Sequence, residues 1–225
     1  MTRRRIGRAA ALGALSLGAL SLGRGAAQRP GDAPAQATPP SGAVARAVPS
    51  DSLAADLHRS VVRWTGTKFR GRGRHEGTVP LAAGALALCG ERVCGGRFVL
   101  DMRRLAVTDI PPHETVARAR LTRHLRSADF FWTERHPTAT FVLDGAARGA
   151  DGTFRVDGAL TLRGVTHPLA FPATLEADGG GRLVRARLRI DRRRWGVTYR
   201  FDPIRNELVD DDIALELELA FPARR

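Results

Sequence analysis

From about residue 60 onward, hydrophobic and polar positions alternate along most of the chain, the period of a strand with one face turned inward. In SVVRWTGTKF, Val62 and Trp64 share a side. GTVPLAAGALALCG carries Val79 and Leu81, after which Gly84 is expected to mark a bulge that shifts the register. RFVLDM places Phe98, Leu100 and Met102 on one face, and Val99 and Asp101 on the other. TATFVLDG follows, and a turn at RGADG leads into TFRVDGALTLRG, where Phe154, Val156, Leu160 and Leu162 lie together. THPLAFPATLEA adds Leu169 and Phe171, and ADGGGR is a further turn. LVRARLRID alternates Val184, Ala186, Leu188 and Ile190 against Arg185, Arg187 and Arg189. IALELELAF closes the pattern with Glu216 and Glu218 outside. The pattern predicts about eight strands, mostly joined by short Gly-rich turns.

One segment departs from this period. HETVARARLTRHLRS, after IPP, repeats Ala117, Leu121 and Leu125 at four-residue spacing with Arg on its other faces, which predicts an amphipathic helix. With strict alternation and no second helix to cover a flat sheet, closure is the economical solution. The expected fold is therefore all-β: an eight-stranded antiparallel barrel with one inserted amphipathic helix. A barrel of that size is filled by its own side chains or holds one small ligand.

Just after the helix, HLRSADFFWTERHPTATF sets Phe130, Phe131 and Trp132 in a row, in a chain that is only 6% aromatic. Three adjacent aromatics cannot share one face of a helix or strand. They either turn a corner over a core or face something other than ordinary core.

The chain has 225 residues, 43% of them hydrophobic, enough for one domain with appendages. MTRRRIGR is a basic start, AALGALSLGALSLG a short apolar run and GRGAAQ a small-residue stretch, so residues 1–27 read as an export signal with a twin-arginine-like pair at Arg3 and Arg4. Residues 28–49, rich in Pro and Ala, read as a tether, and residues 50–225 as the folded domain. A periplasmic or secreted protein is expected. The net charge of +13 comes almost wholly from Arg, with Lys68 the sole lysine. Dispersed Arg fit solubility, with transient contact to an anionic membrane surface as the further option.

Candidate chemistry is sparse. There is no G-x-S-x-G elbow, no H-E-x-x-H and no phosphate-cradling G-K-[ST] loop. GRGRHEG (residues 71–77) lacks dinucleotide-loop spacing. The six His (His58, His75, His113, His124, His136 and His167) are spread out, and no metal or cofactor is expected. Asp109, Glu114 and Asp129 flank the helix, where cap and turn roles explain them as well as acid/base chemistry does. Cys89 and Cys94, with Gly90 and Glu91 at a hairpin turn, fit a disulfide in an exported protein; a free buried pair or a redox pair are the alternatives. Nucleic acid is not an expected partner, because the aromatics fall on the inward side of the strands and the Arg on the outward side, whereas base stacking needs both on one surface.

These residues resemble a known family. HLRSADFFWTERHPTATF, WTGTKFRGRGRHEGTVPLAAGAL, GGRFVLDM, GALTLRGVTHPLAFP and IDRRRWGV are similar, in order, to segments of the YceI-like or polyisoprenoid-binding proteins. The resemblance covers roughly residues 50–221. Trp132 stands where that family commonly has a small acidic residue, His136 where Tyr is usual, and the Cys pair is not general. The resemblance implies a lipocalin-like barrel around an apolar tunnel that holds an isoprenoid chain, either a polyprenyl lipid or a quinone tail, without a catalytic residue. The implied lining is Val62, Trp64, Phe98, Leu100, Met102, Phe141, Leu160, Leu162, Phe171, Leu188, Ile190 and Trp195, with plain core packing as the alternative for each. In this reading Leu121 and Leu125 pin the helix to the barrel, one of Phe130 and Phe131 points inward while the other packs under the helix, and Trp132 sits at the rim. Two other readings stay open: a redox or other enzyme using Cys89 and Cys94 or a His site at the mouth, and a structural envelope domain with a filled core. Monomer and dimer both stay open.

Overall fold

The structure is a computed structural model that describes residues 51–90, 92–199 and 209–223. The expected leader and tether, and Glu91 of the hairpin turn, lie outside the described residues.

Eight ribbons form the domain. The first is β1 (Asp51–Ala54) and β2 (Asp56–Lys68), interrupted only at Ala55. The second is β3 (Gly73–Val79) and β4 (Leu81–Cys89), interrupted at Pro80, which has no N–H to give to a ladder. The third runs from β5 (Arg92–Asp101) through a 3-10 turn at Met102–Arg104 into β6 (Ala106–Val107). The helix α1 (Thr115–Arg126) follows, then β7 (Thr138–Arg148), β8 (Phe154–Leu162), β9 (Val165–Asp178) and β10 (Gly181–Asp191). A second 3-10 turn, Arg192–Trp195, precedes β11 (Val209–Phe221). Every pairing is antiparallel. Each ribbon pairs with the next, and β11 returns to pair with β2 from Val209 opposite Lys68 to Ala220 opposite Asp56. The result is a closed up-and-down barrel of eight ribbons, three of them broken once, so that eleven strands are counted.

The alternation read from the sequence sets the two faces. On β10, Ala186 and Ile190 are buried while Arg185, Arg187 and Arg189 are exposed. Arg187 meets Glu216 at 3.0 Å, and Arg185 meets both Glu176 and Glu218, so carboxylates on the neighbouring strands answer most of this Arg stripe. Each such exposed pair contributes at most about 1 kcal/mol. Gly84 is not the bulge residue. The register shifts of the β4–β5 pair fall between Leu81 and Ala83 and between Ala87 and Leu88, and Gly84 instead faces the Phe98 ring.

One barrel end is capped. The helix docks by its C-terminal half: Leu125 is buried and Leu121 half-buried, whereas Ala117 is exposed and Val116 is 81% exposed. Arg118 and Arg126 hold it down by donating to the carbonyls of Ile110 and Leu105. Asp109 accepts from the Glu76 backbone at 3.1 Å and pairs with His75, and Glu114 makes no side-chain cap. Beneath lie Trp195 and Val197, both fully buried, with the Trp195 indole N–H donating to the Leu160 carbonyl at 2.9 Å. Arg192 is buried here too; burial lowers its pKa, and Asp211 opposes that shift. Its guanidinium remains a cation, and it donates to the carbonyls of Val197, Val209 and Asp210 and to the Asp211 carboxylate. A buried charge persists only with such a set of partners.

At the same end, Phe69 and Arg70 turn β2 into β3 with positive φ. Asp210 secures that turn by accepting from Thr67 Oγ1 (2.6 Å) and from the backbone N–H of Arg70 (3.0 Å) and Gly71 (2.9 Å). The Thr67 hydrogen bond, then the backbone donors and Arg192, hold its carboxyl below the usual value. A depressed folded pKa contributes stability above the unfolded value of about 3.9, and that stability is lost as pH falls through the folded value. Asp210→Asn is therefore expected to unfold at lower urea than the native protein at neutral pH, with the gap closing at strongly acid pH. Urea midpoints at both pH values check this.

At the opposite end, Cys89 and Cys94 are joined in a disulfide, with their Cα atoms 5.8 Å apart across the β4–β5 hairpin. The closed loop is short, so the chain-entropy contribution is about 2 kcal/mol. The Cys89→Ser/Cys94→Ser double variant is expected to lose about that much in denaturant titration while keeping its far-UV spectrum.

Candidate functional site

The barrel is hollow. A cavity of about 810 Å3 runs inside it, lined by residues from all eight ribbons. That volume lies within the roughly 300–1,000 Å3 of ordinary ligand pockets.

Glycines explain how a lumen rich in large rings stays open. The Trp64 ring lies against Gly77, its cross-strand partner, where an added Cβ would stand 2.6 Å from Cζ2. Phe98 lies against Gly84, with the corresponding distance 2.8 Å, and Phe141 against Gly158, with 2.6 Å. Each ring occupies the space that a side chain on the neighbouring strand would fill. It therefore lies along the wall and leaves the lumen clear. Phe98 meets Phe221 edge-on at 6.4 Å, and Phe141 meets Phe171 at 5.6 Å, arrangements that aromatic pairs favour.

The two ends differ. Met102, Leu105, Phe131, Leu162 and Ile190 line the capped end. Phe131 faces the cavity, while Phe130 packs away from it against His124 of the helix (5.0 Å) and Tyr199 (5.2 Å). At the other end the lining reaches the hairpin turns: Gly90 beside the disulfide, Arg148 and Phe154 at the β7–β8 turn, Gly180 and Arg182 at the β9–β10 turn, and Pro222 and Ala223 after β11. This end has no helix over it among the described residues and forms the mouth.

Of the residues singled out from the sequence, Val62, Trp64, Phe98, Leu100, Met102, Phe131, Phe141, Leu160, Leu162, Phe171, Leu188 and Ile190 line the cavity. Leu121, Leu125, Phe130 and Trp195 do not; they belong to the packed cap, where helix and 3-10 turn meet. Trp132 is not at the mouth either. It stands half-buried near the capped end, in a backbone of positive φ, with Arg135 and Arg163 over its ring at 4.9 and 5.7 Å and His136 edge-on at 5.8 Å. Burial, then the charges of Arg135 and Arg163, push the His136 pKa down. Sequence reading missed the mouth: Leu53, Leu86, Leu88 and Val93 continue the alternation of their ribbons, but Arg148 and Arg182 carry no hydrophobic signal.

The remaining chemistry is scattered. His75 pairs with Asp109, His167 with the Arg194 carbonyl, and His124 and His136 with aromatic rings. Among the described residues, no three His, Cys, Asp or Glu side chains are grouped to hold a metal ion.

Fold and cavity together define a lipocalin-like antiparallel barrel with an apolar, one-ended lumen. The family model for the YceI-like domain matches residues 53–221, and the chain belongs to that family. An UPF0312 protein of Azotobacter vinelandii is 42% identical over 57 residues, 25% of this chain and 30% of that protein. Protein YceI of Escherichia coli O157:H7 is likewise 42% identical over 57 residues, 29% of its own length. The matched segment thus spans about a third of the length of these curated relatives. Among solved structures, BcnA of Burkholderia cenocepacia superposes with a TM-score of 0.59 at 18% identity, over 74% of this chain and 98% of its own. A polyisoprenoid binding domain from Saccharophagus degradans, implicated in plant cell wall breakdown, gives 0.59 at 16% identity, over 76% and 98%. At that identity the likeness is one of fold.

The glycine-backed rings give a test. In Gly84→Ala the new methyl meets only side chains, Phe98 at 2.8 Å and Leu81 at 3.1 Å. The Phe98 ring is expected to shift into the lumen, with a stability loss of about 1–3 kcal/mol. In Gly77→Ala the methyl stands 1.8 Å from the Ala106 carbonyl, a backbone atom that pairs β6 with β3. That variant is expected to lose more, above about 3 kcal/mol, in the same denaturant titration.

Proposed function

We propose that this protein is an exported lipid-binding protein that holds an isoprenoid-type chain, a polyprenyl lipid or a quinone tail, in its lumen as a carrier or scavenger, without catalysing a reaction. One observation carries this reading: the cavity of about 810 Å3 is apolar from the helix end, where it is closed, up to the open mouth. An apolar lining solvates water poorly and favours the uptake of apolar molecules. Burying a hydrocarbon contributes about 0.8 kcal/mol per CH2, so a chain is held without a specific polar contact. The fold shared with the polyisoprenoid binding domain of Saccharophagus degradans supports the same class of ligand. Delivery to or from an anionic membrane surface fits the chain's excess of Arg, and the basic, apolar N-terminus fits export to the periplasm or beyond.

Native mass spectrometry of the purified protein is expected to show a bound mass that organic extraction removes, and an extracted protein that takes up a polyprenol or a quinone. An empty barrel that takes up neither overturns the reading. Ala186, buried on the cavity wall beside Phe171, sharpens the test. Ala186→Phe is expected to cut the bound lipid severely while holding or raising thermal stability, because it fills a hollow. A packed lumen would give the opposite, a loss of about 1–3 kcal/mol.

A further inference from the structure

Among the described residues that line the cavity, the charged ones are Arg148, at the end of β7, and Arg182, at the start of β10, and both stand at the mouth. Thr174, the hydroxyl on the lining, belongs to the same end, three residues before the Ala177–Asp178 segment of β9 that pairs with the Gly181–Arg182 start of β10. No carboxylate lines the cavity among the described residues. Both guanidiniums are exposed and neither forms an ion pair with a described carboxylate. Arg148 lies over the Phe154 ring at 6.0 Å, and Arg182 donates to the carbonyl of its own neighbour, Gly181, at 3.1 Å. The carboxylates of the surrounding turns are committed elsewhere: Asp151 to Thr153, Asp157 to Arg155, and Asp178 to Arg59. Asp56 accepts from the backbone of His58 and Arg59. The mouth therefore presents two positive forks at the rim of a hydrocarbon-lined hollow.

We propose that Arg148 and Arg182 bind the anionic head group, a carboxylate or a phosphate, of a single-chain amphiphile whose tail fills the lumen toward Phe131 and Met102. This rests on the lipid-binding reading and narrows its ligand: an acidic head is favoured over a neutral quinone or alcohol. The orientation follows from solvation. A charged head cannot be desolvated among Met102, Leu105 and Ile190 at the capped end, where no charged residue lines the cavity to answer it. At the mouth it keeps water on one side and meets planar donors whose geometry matches carboxylate and phosphate oxygens. Phe154, beneath the Arg148 guanidinium, holds that fork at the rim.

Three probes with one hydrocarbon tail test this by titration calorimetry on delipidated protein: geranylgeraniol, geranylgeranyl phosphate and geranylgeranoic acid. The native protein is expected to bind one or both anions at least about tenfold more tightly than the alcohol, since hydrogen bonds to charged groups contribute more than neutral ones. Whichever anion gains more identifies the head group. The Arg148→Gln/Arg182→Gln double variant is expected to lose that advantage and to bind the alcohol as the native protein does. Both positions are exposed, so its melting temperature is expected to stay unchanged, and this is measured alongside. Equal affinity for alcohol and anions in the native protein overturns the proposal and leaves the lipid-binding reading standing. So does a double variant that keeps the anion preference. Failure of all three probes to bind overturns the lipid-binding reading and this proposal with it.

Discussion

When β11 returns to pair with β2, the last ribbon satisfies the free edge of the first, and the sheet has no choice but to enclose its inward faces. The lumen, its two unlike ends and the outer charge pattern all follow from that closure. An open sheet of the same ribbons would leave Leu215, Leu217 and Leu219 of β11 and Val62 and Trp64 of β2 against water, and two rows of N–H and C=O groups unpaired. The closed sheet solves both problems with backbone hydrogen bonds alone. It also fixes a diameter that eight ribbons cannot fill unless their side chains reach across it.

Here they do not reach across. Trp64, Phe98 and Phe141 are large enough to choke the lumen, yet each is accommodated against a glycine of the adjoining strand, Gly77, Gly84 and Gly158 respectively. A hollow of this kind forgoes the dispersion contacts that a filled core would make. That is a standing cost to the empty protein and a standing attraction for any hydrocarbon that enters. Stability and ligand capacity are thus opposed along the wall, and the cap compensates. Phe130, Leu125, Trp195 and Val197 pack at one end, with Arg192 tying the final 3-10 turn to the start of β11.

The family supplies a frame in which this arrangement makes sense, and the particular residues supply what the family frame leaves open. The cap is built from hydrophobic and internally hydrogen-bonded groups. The mouth carries a short disulfide-closed hairpin and two guanidiniums that no described carboxylate pairs with. A molecule that is greasy along its length and acidic at one end matches this polarity from cap to rim.

The sequence by itself determined the strands, their inward faces and the helix. Alternation is a local property, and every ribbon from Val62 to Leu219 carries it. It also determined the family, because five ordered segments span the domain. The division of Phe130 and Phe131 between cap and lumen is the one the family resemblance implied, and the structure assigns Phe130 to the cap and Phe131 to the lumen. Tertiary structure decided the rest. Trp195 looks like a lining residue in a linear pattern, but the second 3-10 turn places it in the cap, with Leu121 and Leu125 of the docked helix. Trp132 is held near the capped end by two cations rather than at the mouth. The role of the glycines, and the placement of Arg148 and Arg182 at one rim, depend on cross-strand register and on which hairpins share an end. Those relations join residues far apart in the chain, and periodicity along a single strand does not encode them.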